Sequence, residues 1–403
     1  MIYSLITHHS PEEVNLYLLD FASETLGMFK DAPHVGDVML AFEEEKINNM
    51  FKMLFRELNL RKKLFSEYGG DYNSFIENSK QEIPSIVVVI NNFAAFTEIY
   101  QNQDEAVSFL TREGTKYGIH FVITSVGVNG VRFRLLQNFK QLITLQLNDD
   151  SDYTNVVGKT DGLLPSKIKG RGLIRTDNLY EFQTANVVSD GSLRSYVNKT
   201  IEKLNKDYKG SNANRVPVLP EIVDVDYIGK QINDKKSVCI PVGVNENNIQ
   251  VVSFDFNKHY INLVLSNNEE SQDFACCFIN VLSKFTNHEI YGVNVPSSFG
   301  FTSNKKTNLS TSINMIEDQI DKLFDLSVSR NNAYHKSKNK KKTVDSFDDI
   351  FIVFNSFASF YNNLNAKSKE KLQLILDKGI SDYKMYFIIS DTSNSISTYS
   401  YEN

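Results

Sequence analysis

One eleven-residue phrase occurs twice in this chain. Residues 86–96 read IVVVINNFAAF and residues 350–360 read IFIVFNSFASF, with Ile, Val, Asn, Phe, Ala and Phe at the same six positions. The copies lie 264 residues apart (350 − 86). Each leads, past a helical stretch, to a second apolar run: FVITS from Phe121, 25 residues on (121 − 96), and FIIS from Phe387, 27 residues on (387 − 360). Two matched strands at nearly matched spacing form a long-period repeat, which constrains the fold before local propensity does. The reading is two copies of one α/β domain in tandem.

The length of 403 residues has room for two or three domains. A hydrophobic content of 41% and a charged content of 23% are those of a soluble globular protein. The net charge of −6 argues against a general nucleic-acid surface, which carries a basic footprint. Cys239, Cys276 and Cys277 form no CxxC pair and no disulfide framework, which points to a reducing compartment. The adjacent pair reads as core of an apolar helix. No apolar run reaches the roughly 20 residues of a membrane span. The first residues, MIYSLITHHSPEEV, lack the basic start of a signal peptide, so any anchor is expected outside this chain.

Periodicity gives the element order. Residues 1–7 read as the end of a helix and 14–19 as a strand running into Asp20. Residues 42–65 form an amphipathic helix with Ile47, Met50, Phe51, Leu54, Leu58 and Phe65 on its apolar face. Arg56, Arg61, Lys62 and Lys63 fall on its other face and read as surface charges, as does Arg330 at the corresponding place in the second copy. Strands are expected at 118–125, 142–147, 172–175 and 180–185, a hairpin turn at 169–172, and helices at 106–116 and 192–208. Residues 209–214, with Pro217 and Pro220, have linker composition. The second copy then supplies a hairpin (238–242 and 250–254), a buried strand (261–265), a helix (273–284), a strand (290–295), and a long helix (313–334) ending in a lysine-rich loop at 335–342. Strands alternating with helices imply parallel pairing and three layers. The expected divisions are a domain over 1–190, a helix and linker over 191–220, and a second domain over 221–403.

An apolar strand ending in two polar residues delivers side chains to the carboxyl edge of a parallel sheet, where ligands bind. In P-loop nucleotide hydrolases an Asp there holds Mg²⁺, and a second carboxylate often polarises water. Here the pairs are Asn91-Asn92 and Asn355-Ser356. An amide keeps the shape but loses the charge that a hard cation prefers. In the second copy, the strand–helix junction where a GxxxxGK[ST] loop would lie has Ser266 and Ser271 for its glycines, Gln272 for its lysine and Asp273 for its hydroxyl. Glu269, Glu270 and Asp273 would repel phosphate at a helix N-terminus otherwise suited to anions. In the first copy the corresponding strand and loop would precede Met1. His8, His9 and His120 lack metal-ligand spacing, and DDSDY at 149–153 lacks the glycine and terminal glutamate of a calcium loop and reads as a helix cap.

SPEEV at 10–14, LLDF at 18–21, PHVG at 33–36, the strand ending Asn91-Asn92-Phe93 and GIHF at 118–121 resemble the FtsK/SpoIIIE-type ATPases of type VII secretion systems, in their Firmicute, EssC-like form. The resemblance implies two tandem P-loop NTPase-like (RecA/FtsK-like) three-layer domains with mostly parallel sheets, both incomplete or degenerate. Residues 1–190 would be a penultimate domain lacking its N-terminal phosphate-loop segment, and 221–403 the final one. It implies degenerate Walker-B-like positions at Asn91, Asn92, Asn355 and Ser356, and a degenerate phosphate loop at Ser266, Glu269, Glu270, Ser271, Gln272 and Asp273. No catalytic or metal-binding residue is assigned. No tightly bound cofactor is expected, with ATP and Mg²⁺ held only in the first domain if a loop is supplied upstream. Expected partners are secreted helical proteins of the WXG100 and LXG types, further copies of the chain in a hexamer, and other secretion-machinery subunits, with no nucleic acid. The expected place is the cytoplasmic face of the cell membrane. The implied role is recognition of secreted proteins and regulation of an upstream ATPase. The alternatives are an active translocase completed by an upstream loop and neighbouring subunits, and, third, a DNA translocase.

Overall fold

Short apolar runs rich in Val, Ile and Leu, bounded by polar turns, pair side by side as parallel strands in both halves of the chain. The structure, a computed structural model, describes residues 1–188, 191–231, 238–266, 270–296, 306–339, 347–379 and 381–392. The chain divides into two units, Met1–Val218 and Leu219–Asn403.

The first unit runs α1 (Ile2–His8), β1 (Val14–Asp20), β2 (Val35–Leu40), α2 (Glu44–Phe65), α3 (Tyr72–Ser79), β3 (Ser85–Asn91), α4 (Phe93–Ile99), α5 (Asp104–Glu113), β4 (Ile119–Ile123), α6 (Phe133–Leu136), β5 (Ile143–Thr144), α7 (Asp150–Val157), β6 (Arg171–Arg175), β7 (Leu179–Gln183) and α8 (Leu193–Asp207). Its main sheet has the order β2-β1-β3-β4, all parallel. Period-two alternation sends Tyr17 and Leu19 towards α2, α4 and α5, and Leu16 and Leu18 towards α1 and α8. A small antiparallel sheet, β5-β6-β7, packs Leu173 on Tyr153 and Val157 of α7. Asp149 caps α7 by accepting from Ser151 N, the cap expected there. Gly170 has φ +85° and turns the chain into β6, whereas Gly172 lies inside that strand, so the expected hairpin turn at 169–172 is the strand's entry instead. The β6–β7 reversal falls between Arg175 and Leu179.

The segment with linker composition is not a free tether. Ala213 N donates to Pro33 O (2.8 Å), Tyr17 OH to Asn214 O (2.9 Å), Val216 N to Asp37 Oδ2 (2.9 Å) and Asn49 Nδ2 to Pro217 O (2.9 Å). Its polar backbone is satisfied by the first unit at these four points. Gly36 makes this passage possible, because a Cβ there would lie 2.4 Å from the Tyr17 ring and 2.5 Å from Asn214 O.

The second unit runs α9 (Val225–Gln231), β8 (Cys239–Val244), β9 (Val251–Asp255), β10 (Ile261–Ser266), α10 (Glu270–Phe285), β11 (Glu289–Val293), β12 (Thr307–Ser310), α11 (Ile313–Asn339), β13 (Ile350–Asn355), α12 (Phe357–Tyr361), α13 (Ala366–Lys378) and β14 (Met385–Thr392). Its sheet has the order β10-β14-β13-β11-β12, all parallel, and β8-β9 form the expected hairpin. One core lies under α10 and another under α11, α12 and α13. The strand expected to be buried, β10, is an edge strand, with Leu263 51% and Leu265 44% exposed. Helix α11 continues through His335 to Asn339, so only part of the lysine-rich stretch could be a loop; residues 340–342 lie outside the described set. Of the adjacent thiols Cys276 is buried and Cys277 exposed, since neighbours on a helix face different ways.

The two arginines expected on helix surfaces are buried, Arg61 at 2% exposure and Arg330 at 6%. Arg61 donates to Pro84 O (2.8 Å), Tyr117 O (2.9 Å), Gly118 O (3.3 Å) and Glu57 (2.6 Å). Arg330 donates to Tyr383 O and to Lys384 O (3.2 Å). Each guanidinium thus satisfies carbonyls just before the strand that follows the repeated phrase, β4 or β14. A fork of five donors can do this where a lysine cannot. Arg61→Met and Arg330→Met are expected to destabilise their own units by about 2–4 kcal/mol, because buried carbonyls lose their donors. Denaturant titration of the full chain checks this; a loss below about 1 kcal/mol would make the pins ornamental.

His34 is 1% exposed; its Nε2 donates to His9 O (2.7 Å) and its Nδ1 has no partner among the described residues. Burial pushes its pKa below the ordinary value. A proton on Nδ1 would be buried without an acceptor, so the folded state disfavours the charged ring. The stabilisation is therefore complete above the unfolded value near 6.5 and is lost as pH falls below it. The thermal midpoint should drop between pH 7 and pH 5, and His34→Gln should flatten that drop. Equal midpoints at both pH values would contradict a buried neutral imidazole.

Candidate functional site

In both copies of the repeated phrase the strand ends in the same sharp turn. Asn92, after β3, has φ +64°, and Ser356, after β13, has φ +48°. Left-handed backbone is costly for any residue with a Cβ, and Asn bears it best. The turns aim α4 and α12 back over the sheets, burying Phe93 and Phe96 in one unit and Phe357 and Phe360 in the other.

At the carboxyl edge of the first sheet, register sets Asp20 of β1 opposite Asn91 of β3. Asn91 Nδ2 donates to Asp20 Oδ1 (2.9 Å), and Asn91 Oδ1 accepts from Thr124 Oγ1 (2.8 Å). Thr124 Oγ1 also accepts from Asn92 N (3.0 Å), and Asn92 Nδ2 donates to Phe21 O (3.2 Å). Asp20, 3% exposed, further accepts from Ala22 N (3.2 Å) and Leu26 N (2.8 Å). Asn91 is thus clamped from both sides, and the carboxylate beside it is engaged by three protein donors. The strand running into Asp20 was visible in the sequence; its pairing with Asn91 was not, because register is a tertiary property.

The second unit closes differently. Asn294 Nδ2 donates to Asn355 O (2.9 Å) and Ser359 Oγ (3.1 Å), while Asn355 Nδ2 donates to Asn294 O (3.0 Å). Asn355 is 1% exposed, and its Oδ1 has no partner among the described residues. Asp391 on β14, 4% exposed, accepts from Ala358 N (2.6 Å) in the first turn of α12 and from Thr392 N (2.8 Å). This carboxylate escaped sequence reasoning; the only signal was its place one residue beyond the FIIS run.

Of the loop-like positions, Ser266 ends β10 half-buried and Asp273 is exposed on α10. Glu269 and the side chains of Glu270, Ser271 and Gln272 lie outside the described residues. Burial, then the neighbouring Cys277 and Asp273, push the Cys276 thiol up to about 11, so it stays protonated and inert. Among the described residues no three His, Cys, Asp or Glu side chains converge as metal ligands. A cleft of about 180 Å³ opens beside the first turn, lined by Phe93, Ala94, Thr97, Glu98, Gly130 and Arg132. It is smaller than the roughly 300 Å³ of ordinary small-molecule sites, and Arg132 is already paired with Asp104 at 2.5 Å.

Asn91→Asp would set a second carboxylate against Asp20. Like charges at this distance force one to keep its proton. The variant should lose about 1–3 kcal/mol at pH 8 and recover part of it at pH 5, read by thermal melts. Stabilisation of the variant by Mg²⁺ at pH 8 would instead show that the position can still hold a metal.

Residues 1–160 match the FtsK/SpoIIIE family. The chain is 22% identical over 391 residues to the type VII secretion system protein EssC of Staphylococcus aureus, covering 94% of this chain and 26% of that relative. It therefore spans about a quarter of that protein's length. The solved ATPases 2 and 3 of EssC from Geobacillus thermodenitrificans align over 99% of this chain and 77% of theirs, with TM-score 0.82 and 18% identity. ATPases 2 and 3 of Thermomonospora curvata EccC, solved in complex with a signal sequence peptide, align over 100% of this chain and 74% of theirs, with TM-score 0.53 and 20% identity. These two likenesses establish a shared fold of tandem ATPase domains.

Proposed function

Starting from a chain that carries an FtsK/SpoIIIE-family domain and the fold of paired EssC ATPase domains, we propose that it is the C-terminal part of a type VII secretion motor. In this reading it binds secreted helical proteins of the WXG100 and LXG types, regulates an upstream ATPase, and hydrolyses little or no ATP itself. The observation that carries the reading is the clamp on Asn91. Where a hydrolase presents a carboxylate to water-shelled Mg²⁺, this chain presents an amide whose oxygen is held by Thr124 and whose nitrogen is held by Asp20. Asn92 and Ser356 cannot take a proton from water, and Asp391 spends its oxygens on backbone N–H groups. These residues do not fit a magnesium–nucleotide pair, so no hydrolytic step is assigned to them. A fold kept without that chemistry is suited to docking. The EccC relative solved with a signal sequence peptide supports protein segments as the class of ligand.

The segment would work at the cytoplasmic face of the cell membrane, held there by parts of the protein outside this chain and beside further copies of itself. No described helix is long and apolar enough to cross a membrane.

Calorimetry of the full chain against C-terminal peptides of secreted helical proteins should show binding with no nucleotide added. The same preparation should turn over no ATP above a heat-denatured control. Failure of every cognate peptide would sink the docking role, and steady hydrolysis would return the chain to the working ATPases.

A further inference from the structure

The turn before α2 holds a phenylalanine out in water. Phe42 is 77% exposed, and Ile99, the last residue of α4, is 57% exposed. Apolar side chains scattered singly on a surface need no explanation. These two flank one hydrogen bond: Tyr100 OH, next to Ile99, donates to Ala41 O, next to Phe42 (2.7 Å).

The frame around the pair is firmly built. Glu43 N donates to Leu40 O (3.0 Å) and Leu40 N donates to Glu43 Oε2 (2.8 Å), which closes the turn from both sides. Tyr100 is buried; its ring stacks on Phe96 at 5.7 Å and meets Phe21 edge-on at 5.7 Å. Gln103 Nε2 donates to Asn48 Oδ1 (2.8 Å), a second tie between α2 and the segment after α4. The Phe42 side chain takes part in none of these bonds. An apolar side chain displayed on a fixed turn loses little entropy on binding, and aromatic anchors carry much of the energy of protein interfaces. The corner lies at the end of β2, the strand farthest from β4 in its sheet.

Charge selects the occupant. Residues 42–46 and 98–105 contain six carboxylates and one lysine. Glu43 is engaged by Leu40 N and Lys46, and Asp104 by Arg132. Glu44, Glu45, Glu98 and Glu105 are exposed and make no ion pair among the described residues. Burial, then Glu44 and Glu43, push the Tyr100 hydroxyl above its ordinary value, which sets those carboxylates near the bond that joins the two segments. An acidic rim repels phosphate polymers and anionic lipid and attracts cationic side chains.

We propose that this corner is a docking site for a basic amphipathic helix of a partner protein. Phe42 and Ile99 enter between the apolar side chains of that helix, and its lysines or arginines meet Glu44, Glu45 and Glu98. The site uses none of the strand-end residues and stands whether or not the chain handles secreted proteins or hydrolyses ATP.

The probe is a dye-labelled peptide of two LKKLLKL repeats, titrated into the full chain at low salt and followed by fluorescence anisotropy. Phe42→Ser and Ile99→Ser should each weaken binding about tenfold or more, with the melting temperature unchanged because both side chains lie outside the packed core. Glu44→Gln combined with Glu98→Gln should weaken it and lessen its dependence on salt. A peptide of the same composition, scrambled so that its leucines no longer share one face, should bind about tenfold less tightly. The proposal is overturned if the probe does not bind, if both serine variants bind it as tightly as the unaltered chain, or if the scrambled peptide binds equally well. Cosedimentation with phosphatidylglycerol vesicles that Phe42→Ser abolishes would also overturn it, by assigning the corner to a membrane. So would self-association that the same substitution abolishes, which would assign the corner to a second copy.

Discussion

Parallel pairing of β1, β3 and β4 brings Asp20, Asn91 and Thr124 into one line at the carboxyl edge of the first sheet. The rest of that edge follows from this alignment. Asn91 has a carboxylate on one side and a hydroxyl on the other, so its amide is oriented without ambiguity. Asn92 is then held by Thr124 and Phe21, which fixes the left-handed turn and the direction of α4. A one-residue slip would turn every apolar side chain of β3 to the other face, which is why the line is kept by core packing as well as by its own hydrogen bonds.

The two buried arginines hold the opposite edge of each sheet. A helix that crosses one face of a parallel sheet leaves carbonyls in the loop before the next strand with no partner. Arg61 and Arg330 fill that need in corresponding places, with an aromatic pair beside each: Phe65 on Tyr117 at 6.1 Å and Tyr334 on Tyr383 at 5.9 Å. Burying a guanidinium is tolerable only because several acceptors meet it at once. Placing both residues on helix surfaces failed because a 3.6-residue period marks a face as polar without showing what faces it.

The same distinction explains the site. Asn91, Asn92, Asn355 and Ser356 were legible as strand-end residues because apolar runs stop at them. The carboxylates beside them were not, because Asp20 lies 71 residues from Asn91 in the chain and Asp391 lies 33 from Ala358. β10 read as a buried strand from its composition, yet a sheet must end somewhere, and only the strand order shows where. α9 and β12 had no periodic signal, and the segment after α8 had the composition of a tether while its backbone was committed to β1, β2 and α2.

What the sequence by itself determined is the pair of α/β units, most of their strands and helices in order, and the uncharged residues that end β3 and β13, because these depend on local period, turn chemistry and one long repeat. What only the tertiary structure decided is which strands are neighbours, that β10 lies at the edge of its sheet, and which partners consume each buried charge. Those are set by contacts between residues far apart in the chain, and a pattern that repeats every two or 3.6 residues contains no record of them.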